Sequence, residues 1–324
     1  MGISRKFWNR KNVFVTGHEG FLGSHLTKTL IDLGANVVAL DKVVHTKRTI
    51  LKGYRAKFNG IKGNVANLPL VQRIIQKHKP EYIFHLAAEA IVGTANKTPV
   101  KTFKSNIQGT WNILECVKID SSIKGVIVAS SDKAYGSHKK LPYTEQAALQ
   151  GEHPYDVSKS CADLICQTYY KTFNVPVCIT RCGNIYGPGD YNYSRLIPDA
   201  IKHALKGKQF TIRSNGKFTR DYIYVQDIVE GYLVLAQNLN KQNVIGEAFN
   251  FSCESPMSVL EMHDQIIKAC GNGSPQPKIL NQAMHEIQDQ YLSSSKARQL
   301  IKWKPRKTLS QGLKETIAWY KEEL

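Results

Sequence analysis

Between Asn12 and about Thr180 the chain alternates short apolar runs with longer segments of helical period, and this rhythm constrains the fold most. Val13-Phe14-Val15, Asn36-Val37-Val38-Ala39-Leu40, Tyr82-Ile83-Phe84-His85-Leu86, Gly125-Val126-Ile127-Val128-Ala129 and Val177-Cys178-Ile179-Thr180 read as strands. Residues 20–33, 68–78, 100–117 and 155–173 read as the helices between them. Strands without in/out alternation are buried on both faces, and strands each followed by a helix run parallel. The pattern predicts a doubly wound parallel sheet of α/β class. After residue 180 the texture changes. A glycine-rich loop at 182–190 leads to short strands (Phe210-Thr211-Ile212 and Ala248-Phe249-Asn250-Phe251) and to helices near 227–239, at 259–270 and at the end of the chain. The expected division is a first domain over 1–180 and a smaller C-terminal α/β lobe over 181–324, with some elements returning to the first sheet.

Charge narrows the partners. Lys and Arg number 44 against 26 Asp and Glu, a net charge of +18. Such a balance suits nucleic acid, an anionic membrane or a phosphorylated small molecule. The basic residues are scattered, as at Lys202, Lys206 and Lys208, or fall in short clusters such as Lys302, Lys304, Arg306 and Lys307. They form no stripe, so no nucleic acid is expected as a partner. No run approaches the roughly 18 apolar residues of a membrane span, and no apolar leader core is present. A cytoplasmic protein with no membrane partner is expected. The seven cysteines show neither C-x-x-C nor Cys/His ligand spacing, so reduced thiols and no metal are expected.

Glycines 17, 20 and 23 stand between the first strand and the helix after it, with Phe21 and Leu22 opening that helix. Glycines so spaced permit a tight turn, close approach of backbone to a pyrophosphate, and close helix–strand packing. The same glycines could make a plain structural turn, but their place at the head of a βαβ unit favours a dinucleotide. Asp41 closes the second strand, where a carboxylate can bond ribose hydroxyls and repel a 2′-phosphate. NAD is expected over NADP; the alternative is that Asp41 merely caps a turn. Tyr155 and Lys159 lie one helical turn apart on one face. An ammonium there would draw the phenol's pKa down and make it a base, although the pair alone is also a common solvated surface. Ser131, Asp132 and Lys133 follow the strand that ends at Ala129, at the end of a parallel sheet that faces ligand.

At these residues the sequence resembles the extended short-chain dehydrogenase/reductases, and within them the sugar-nucleotide 4,6-dehydratases, CDP-glucose enzymes above all. The resemblance spans nearly the whole chain. It includes His85-Leu86-Ala87-Ala88, Asn106-Ile107-Gln108-Gly109-Thr110, Ser131-Asp132-Lys133, Tyr155-Asp156-Val157-Ser158-Lys159, Gly183-Asn184-Ile185-Tyr186-Gly187-Pro188-Gly189-Asp190, Arg195-Leu196-Ile197-Pro198-Asp199 and Thr219-Arg220-Asp221-Tyr222. It implies a Rossmann domain that binds NAD and a lobe that binds a nucleotide sugar. Tyr155 would be the base, Lys159 its partner and a cofactor ligand, Ser131 the hydroxyl on the sugar O4, and Asp132 the acid for the C6 hydroxyl. Lys133 stands where many relatives have Glu and the CDP-glucose enzymes have Lys; if it is the base for the C5 proton, it must be neutral. Leu86, Ala87 and Ala88 would border the cofactor, and Asn64 and Val65 its adenine, where relatives usually have Asp-Val or Asp-Ile. Glu89 would approach the sugar, while Asn184, Arg195, Leu196 and Arg220 would hold the nucleotide.

The implied reaction oxidises C4, eliminates water across C5–C6 and returns hydride to C6. A 4-epimerase or 4-reductase on the same fold is the alternative, since these need Tyr155 and Lys159 but not the Asp132-Lys133 pair. A protein of dinucleotide-binding fold that has lost catalysis is a further alternative, against which the intact Ser131, Tyr155 and Lys159 speak. Two helices, 100–117 and the one carrying Tyr155, resemble those that pair in this family, so a homodimer is expected.

Overall fold

Apolar residues on both sides of each strand leave two surfaces to be covered. The computed structural model, which describes residues 2–271, 273, 275–282 and 287–324, covers both. Val13, Val15, Val37, Ala39, Phe84, Ile127, Cys178, Phe249 and Phe251 pack on one side, beneath helices Phe21–Asp32 and Val225–Gln237. Phe14, Val38, Leu40, Ile83, Val126, Val128, Val177 and Ile179 pack on the other, beneath helices Leu68–His78, Gly109–Ile119 and Pro154–Phe173.

The seven strands lie in the order Ala248–Phe251, Val177–Cys182, Gly125–Ala129, Tyr82–His85, Asn12–Thr16, Asn36–Asp41, Asn59–Lys62. All neighbours are parallel. From Asn12–Thr16 the chain winds outward through two strands, then crosses back to Tyr82–His85 on the other side. The reversal opens a crevice at the carboxyl ends of these two strands, the place where such sheets bind ligands.

The expected helix 100–117 is broken into Pro99–Phe103, a π turn Lys104–Gln108 and Gly109–Ile119, and two further features differ from the sequence reading. Asn59–Lys62, absent from it, forms the outer strand; an edge strand pairs on one side only and needs no apolar run, and three of its four residues are exposed. Helix Leu196–Leu205, also absent from it, carries Ile197, Ala200, Ile201 and Ala204 on its buried face. These join Met262 and Ile266 of Val259–Cys270, and Leu313, Ile317 and Tyr320 of Leu309–Glu323, in a separate core. Both latter helices start at capping boxes, Ser258 with Glu261 and Thr308 with Gln311, which satisfy otherwise orphaned N–H groups. Ala248–Phe251 runs back into the main sheet, fully buried, at the edge opposite Asn59–Lys62.

A buried ion pair joins the sheet to the helix carrying Tyr155. Arg181 donates from Nε to Asp163 Oδ2 at 2.8 Å and from Nη2 to Oδ1 at 2.9 Å. Its Nη1 reaches the Tyr135 hydroxyl at 2.7 Å, and that hydroxyl donates to Asn250 Oδ1 at 2.8 Å. Removing one partner of such a pair strands a charge in the core. Asp163→Ala is expected to cost about 3–5 kcal/mol in urea unfolding, whereas replacing Asp163 and Arg181 together by Leu and Met should cost much less. Equal losses in the two variants would contradict this.

Candidate active site

The crevice widens into a cavity of about 910 Å³ that reaches from the glycine turn to the C-terminal lobe. Gly17 has φ +79°, and a Cβ there would stand 2.8 Å from the Ala87 nitrogen; one on Gly23 would stand 2.0 Å from the Gly17 oxygen. The turn is therefore bare backbone lying against its neighbours. Helix Phe21–Asp32 starts at Gly20 with no side chain capping it, and Phe21 and Leu22 line the cavity beside it. Asp41 stands on the wall across from the turn; Oδ2 accepts the Glu19 N–H at 3.0 Å, so the carboxylate braces the turn while facing the cavity. Asn64 and Val65 adjoin it, the Asn64 side chain accepting from Ala66 N–H at 3.0 Å and Val65 packing against Gly109. Leu86, Ala87 and Ala88 form the floor, and Ala87 N–H donates to Thr16 Oγ1 at 3.2 Å. Bare glycine backbone, an uncapped helix N-terminus and a strand-end carboxylate fit a dinucleotide's pyrophosphate and ribose.

Past the strand Gly125–Ala129, Ser131 caps a single 3₁₀ turn, Asp132–Tyr135. Its hydroxyl accepts from Lys133 N–H at 3.2 Å and donates to Asp132 Oδ1 at 2.9 Å. Burial raises the Asp132 carboxyl above its ordinary value, and the Lys133 charge and the Ser131 bond offset this only in part. Lys133 Nζ lies 3.4 Å from Gln290 Oε1. Tyr155 and Lys159 sit in the opening turns of Pro154–Phe173, with Pro154 at the first position, where its missing N–H costs nothing.

The expectation that Lys159 draws the Tyr155 phenol down is not met. Burial pushes the phenol up to about 12, and the groups opposing it are Ser131 and Arg195. The Lys159 ammonium donates instead to the Ala129 carbonyl at 2.7 Å and lies 6.0 Å from the centre of the Tyr155 ring. Burial lowers this lysine to about 8.

At the far end, Asn184 begins a strand paired with Tyr222–Tyr224, and Arg195 precedes helix Leu196–Leu205 with its guanidinium on Asp190 Oδ2 at 2.9 Å. Arg220 donates to the carbonyls of Thr219 and Gln288, each at 2.8 Å. Asn184, Arg195, Leu196 and Arg220 all border the cavity. Glu89 does not. It pairs with Lys42 and, at 3.5 Å, with Lys101, and it lines a smaller adjoining cavity. Arg213, Phe218 and Ile287 also line the main cavity, and the sequence reading missed them. Arg213 follows the apolar run Phe210-Thr211-Ile212, and a cation just past a short strand was the available signal. Ile287 and Gln290 had none.

A doubly wound sheet with a bare glycine turn, a strand-end carboxylate and a Tyr–Lys pair around one crevice is a Rossmann-type, dinucleotide-dependent architecture. The chain belongs to the NAD-dependent epimerase/dehydratase family, whose model matches residues 13–251. It is 30% identical over 334 residues to the CDP-glucose 4,6-dehydratase of Salmonella typhimurium, covering 98% of this chain and 93% of that one. Among solved structures it is similar to UDP-glucose 4-epimerase of Thermotoga maritima, with a TM-score of 0.89, 26% identity and coverage of 96% and 99%. It is also similar to dTDP-glucose 4,6-dehydratase of Bacillus anthracis in complex with NAD, with a TM-score of 0.85, 28% identity and coverage of 96% and 97%.

A carboxyl held above its ordinary value in the fold stabilises the protein at low pH and loses that contribution as pH rises through the raised value. Asp132→Asn carries no charge at any pH. Its melting temperature should match wild type in acid and exceed it increasingly toward neutrality. A difference that does not change with pH would count against a raised Asp132.

Proposed function

We propose that the chain is an NAD-dependent sugar-nucleotide 4,6-dehydratase, converting an NDP-hexose of the CDP-glucose kind to the 4-keto-6-deoxy sugar. The observation that carries this reading is Asp132, a buried carboxyl disposed to keep its proton, on the same short turn as Ser131 and within the cavity that holds Tyr155. In this reading residues 1–180 serve the cofactor and 181–324 chiefly the nucleotide sugar.

The C5 proton of a hexose is not acidic until C4 is a ketone, so oxidation precedes loss of water. NAD, held along the glycine turn, would supply the acceptor for the electrons leaving C4 and the source of those returned to C6. Ser131 holds O4 by its hydroxyl, and Tyr155 takes the O4 proton. Because burial raises its phenol to about 12, that step should quicken toward alkaline pH. Asp132 gives its proton to the departing C6 hydroxyl while Lys133, in its neutral amine form, receives the C5 proton and gives it back to C5 when the electrons return to C6. Arg195 and Arg220 bring fixed positive charge to the lobe end, where a diphosphate would lie.

Incubation with CDP-, UDP-, GDP- and dTDP-hexoses, followed by mass spectrometry for loss of water, tests the reaction and identifies the nucleotide. Asp132→Asn should still oxidise C4, so absorbance of the reduced nicotinamide accumulates while water loss falls by ~10²–10⁴, the usual worth of one acid–base group. Tyr155→Phe should give neither signal. Wild-type turnover by Asp132→Asn would favour a 4-epimerase, the reaction of one similar structure.

The same reading has the protein cytoplasmic, supported by seven unpaired thiols, and homodimeric. Support for the dimer comes from neighbouring helices that leave Val100, Trp111, Leu164 and Phe173 exposed, since apolar residues left on a surface favour association. Trp111→Asp combined with Leu164→Asp should halve the particle mass seen by light scattering. An unchanged mass would remove these helices from the interface.

A further inference from the structure

The ammonium that directly follows Asp41 is turned away from it. Lys42 borders both the main cavity and the adjoining one of about 510 Å³, and its Nζ pairs with Glu89 rather than with Asp41. Lys101 approaches the same carboxylate at 3.5 Å. Burial works to raise the Glu89 carboxyl, but its bond to Lys42 and the charge of Lys101 outweigh this and hold it below the usual range. Glu89 is therefore a persistent anion between two lysines.

Its position is fixed from behind. Glu89 N–H donates to Asn106 Oδ1 at 2.7 Å, and the Glu89 carbonyl accepts from Asn106 Nδ2 at 3.3 Å. Asn106 lies in a π-helical turn, Lys104–Gln108, and also donates to Ser158 Oγ at 2.9 Å. Ser158 in turn donates to the Tyr155 carbonyl at 2.6 Å. The anion that holds Lys42 is thus anchored to the helix carrying Tyr155, and π turns of this kind recur at functional sites.

A 2′-phosphate on the adenosine ribose needs a cation beside the strand-end position; a bare ribose needs only the carboxylate. We propose that Glu89 is a cofactor-selectivity residue, which by holding the Lys42 ammonium away from Asp41 denies a 2′-phosphate its cation and makes the site accept NAD and refuse NADP. The inference rests on the reading of Asp41 as the ribose carboxylate. It gives Glu89 a role toward the cofactor in place of the role toward the sugar expected from sequence.

Isothermal titration of NAD and NADP into the full-length chain, freed of copurified dinucleotide, tests it. The wild type should prefer NAD. Glu89→Gln, which keeps the shape and removes the charge, should lower the NADP-to-NAD ratio of Kd values about tenfold, the worth of one charge-assisted hydrogen bond. The change should lie in the NADP value, and adding Lys42→Met should abolish it. Lys42→Met alone should leave NADP binding as in wild type, because that ammonium is already withdrawn; this variant tests the inference even if Glu89→Gln unfolds. A selective wild type whose Glu89→Gln variant is equally selective, or a gain that survives Lys42→Met, would overturn the inference alone. Equal affinities in the wild type would overturn the Asp41 reading and this inference with it.

Discussion

The geometry of the cavity depends on a buried guanidinium. Arg181 lies inside the sheet and touches each piece of chain on which the proposed chemistry stands. Asp163 belongs to the helix of Tyr155 and Lys159, Tyr135 closes the turn that starts at Asp132, and Asn250 lies in the strand returning from the C-terminal half. A buried ion pair contributes little net stability, because desolvation cancels most of the attraction, but breaking it is costly. Its value here is positional. One planar cation with donors in fixed directions sets the separation of helix, turn and strand, and through them that of Ser131, Asp132 and Tyr155.

Within that frame the surroundings give similar groups different characters. Asp132 and Glu89 are both carboxyls at the ends of parallel strands. Asp132 is walled in, and the Lys133 and Arg220 charges and the Ser131 bond offset its desolvation only in part, so its carboxyl sits above the ordinary value. Glu89 is less enclosed and gripped by two lysines, so it stays charged. Glu19, beside the glycine turn, is held ionised against its own burial by Thr46 and Arg55, and its bond to His45 N–H helps pin the loop after Asp41. A chain with a net charge of +18 has cations to spare. What distinguishes one carboxyl from another is which cation the fold brings to it.

What the sequence revealed follows from how local each signal is. The glycine turn, Asp41, Ser131-Asp132-Lys133 and Tyr155 with Lys159 are each short stretches whose place is set by the strand or helix they adjoin, and all line the cavity. The apolar runs were legible because a strand buried on both faces has no polar position to interrupt it. Asn59–Lys62 was not, because pairing along one edge demands no such composition. Gln290 reaches Lys133 from a segment 157 residues away, and Arg213 meets the cavity only because the lobe folds over it. The turn of Glu89 toward Lys42 depends on Asn106, Ser158 and a π turn. The depressed tyrosine was a local argument that burial defeated: helical spacing brings Lys159 near, yet desolvation of the phenol raises it, and the ammonium bonds the Ala129 carbonyl.

The backbone alone does not divide the two chemistries open to such a cavity, since a 4-epimerase and a 4,6-dehydratase superpose on it about equally well. Both names place a reaction at C4, so in either reading Tyr155 would take a proton there. Elimination asks for one thing more. A hydroxide is a poor leaving group, so a proton must be in place at O6 when the C5–H bond breaks, and an ordinary carboxyl would have lost its proton well below neutral pH. In the dehydratase reading, burial shifts Asp132 toward that condition, just past the strand Gly125–Ala129. The choice between the two readings then rests on one side chain, and the turn that carries it, Asp132–Tyr135, is tied by Tyr135 to Arg181.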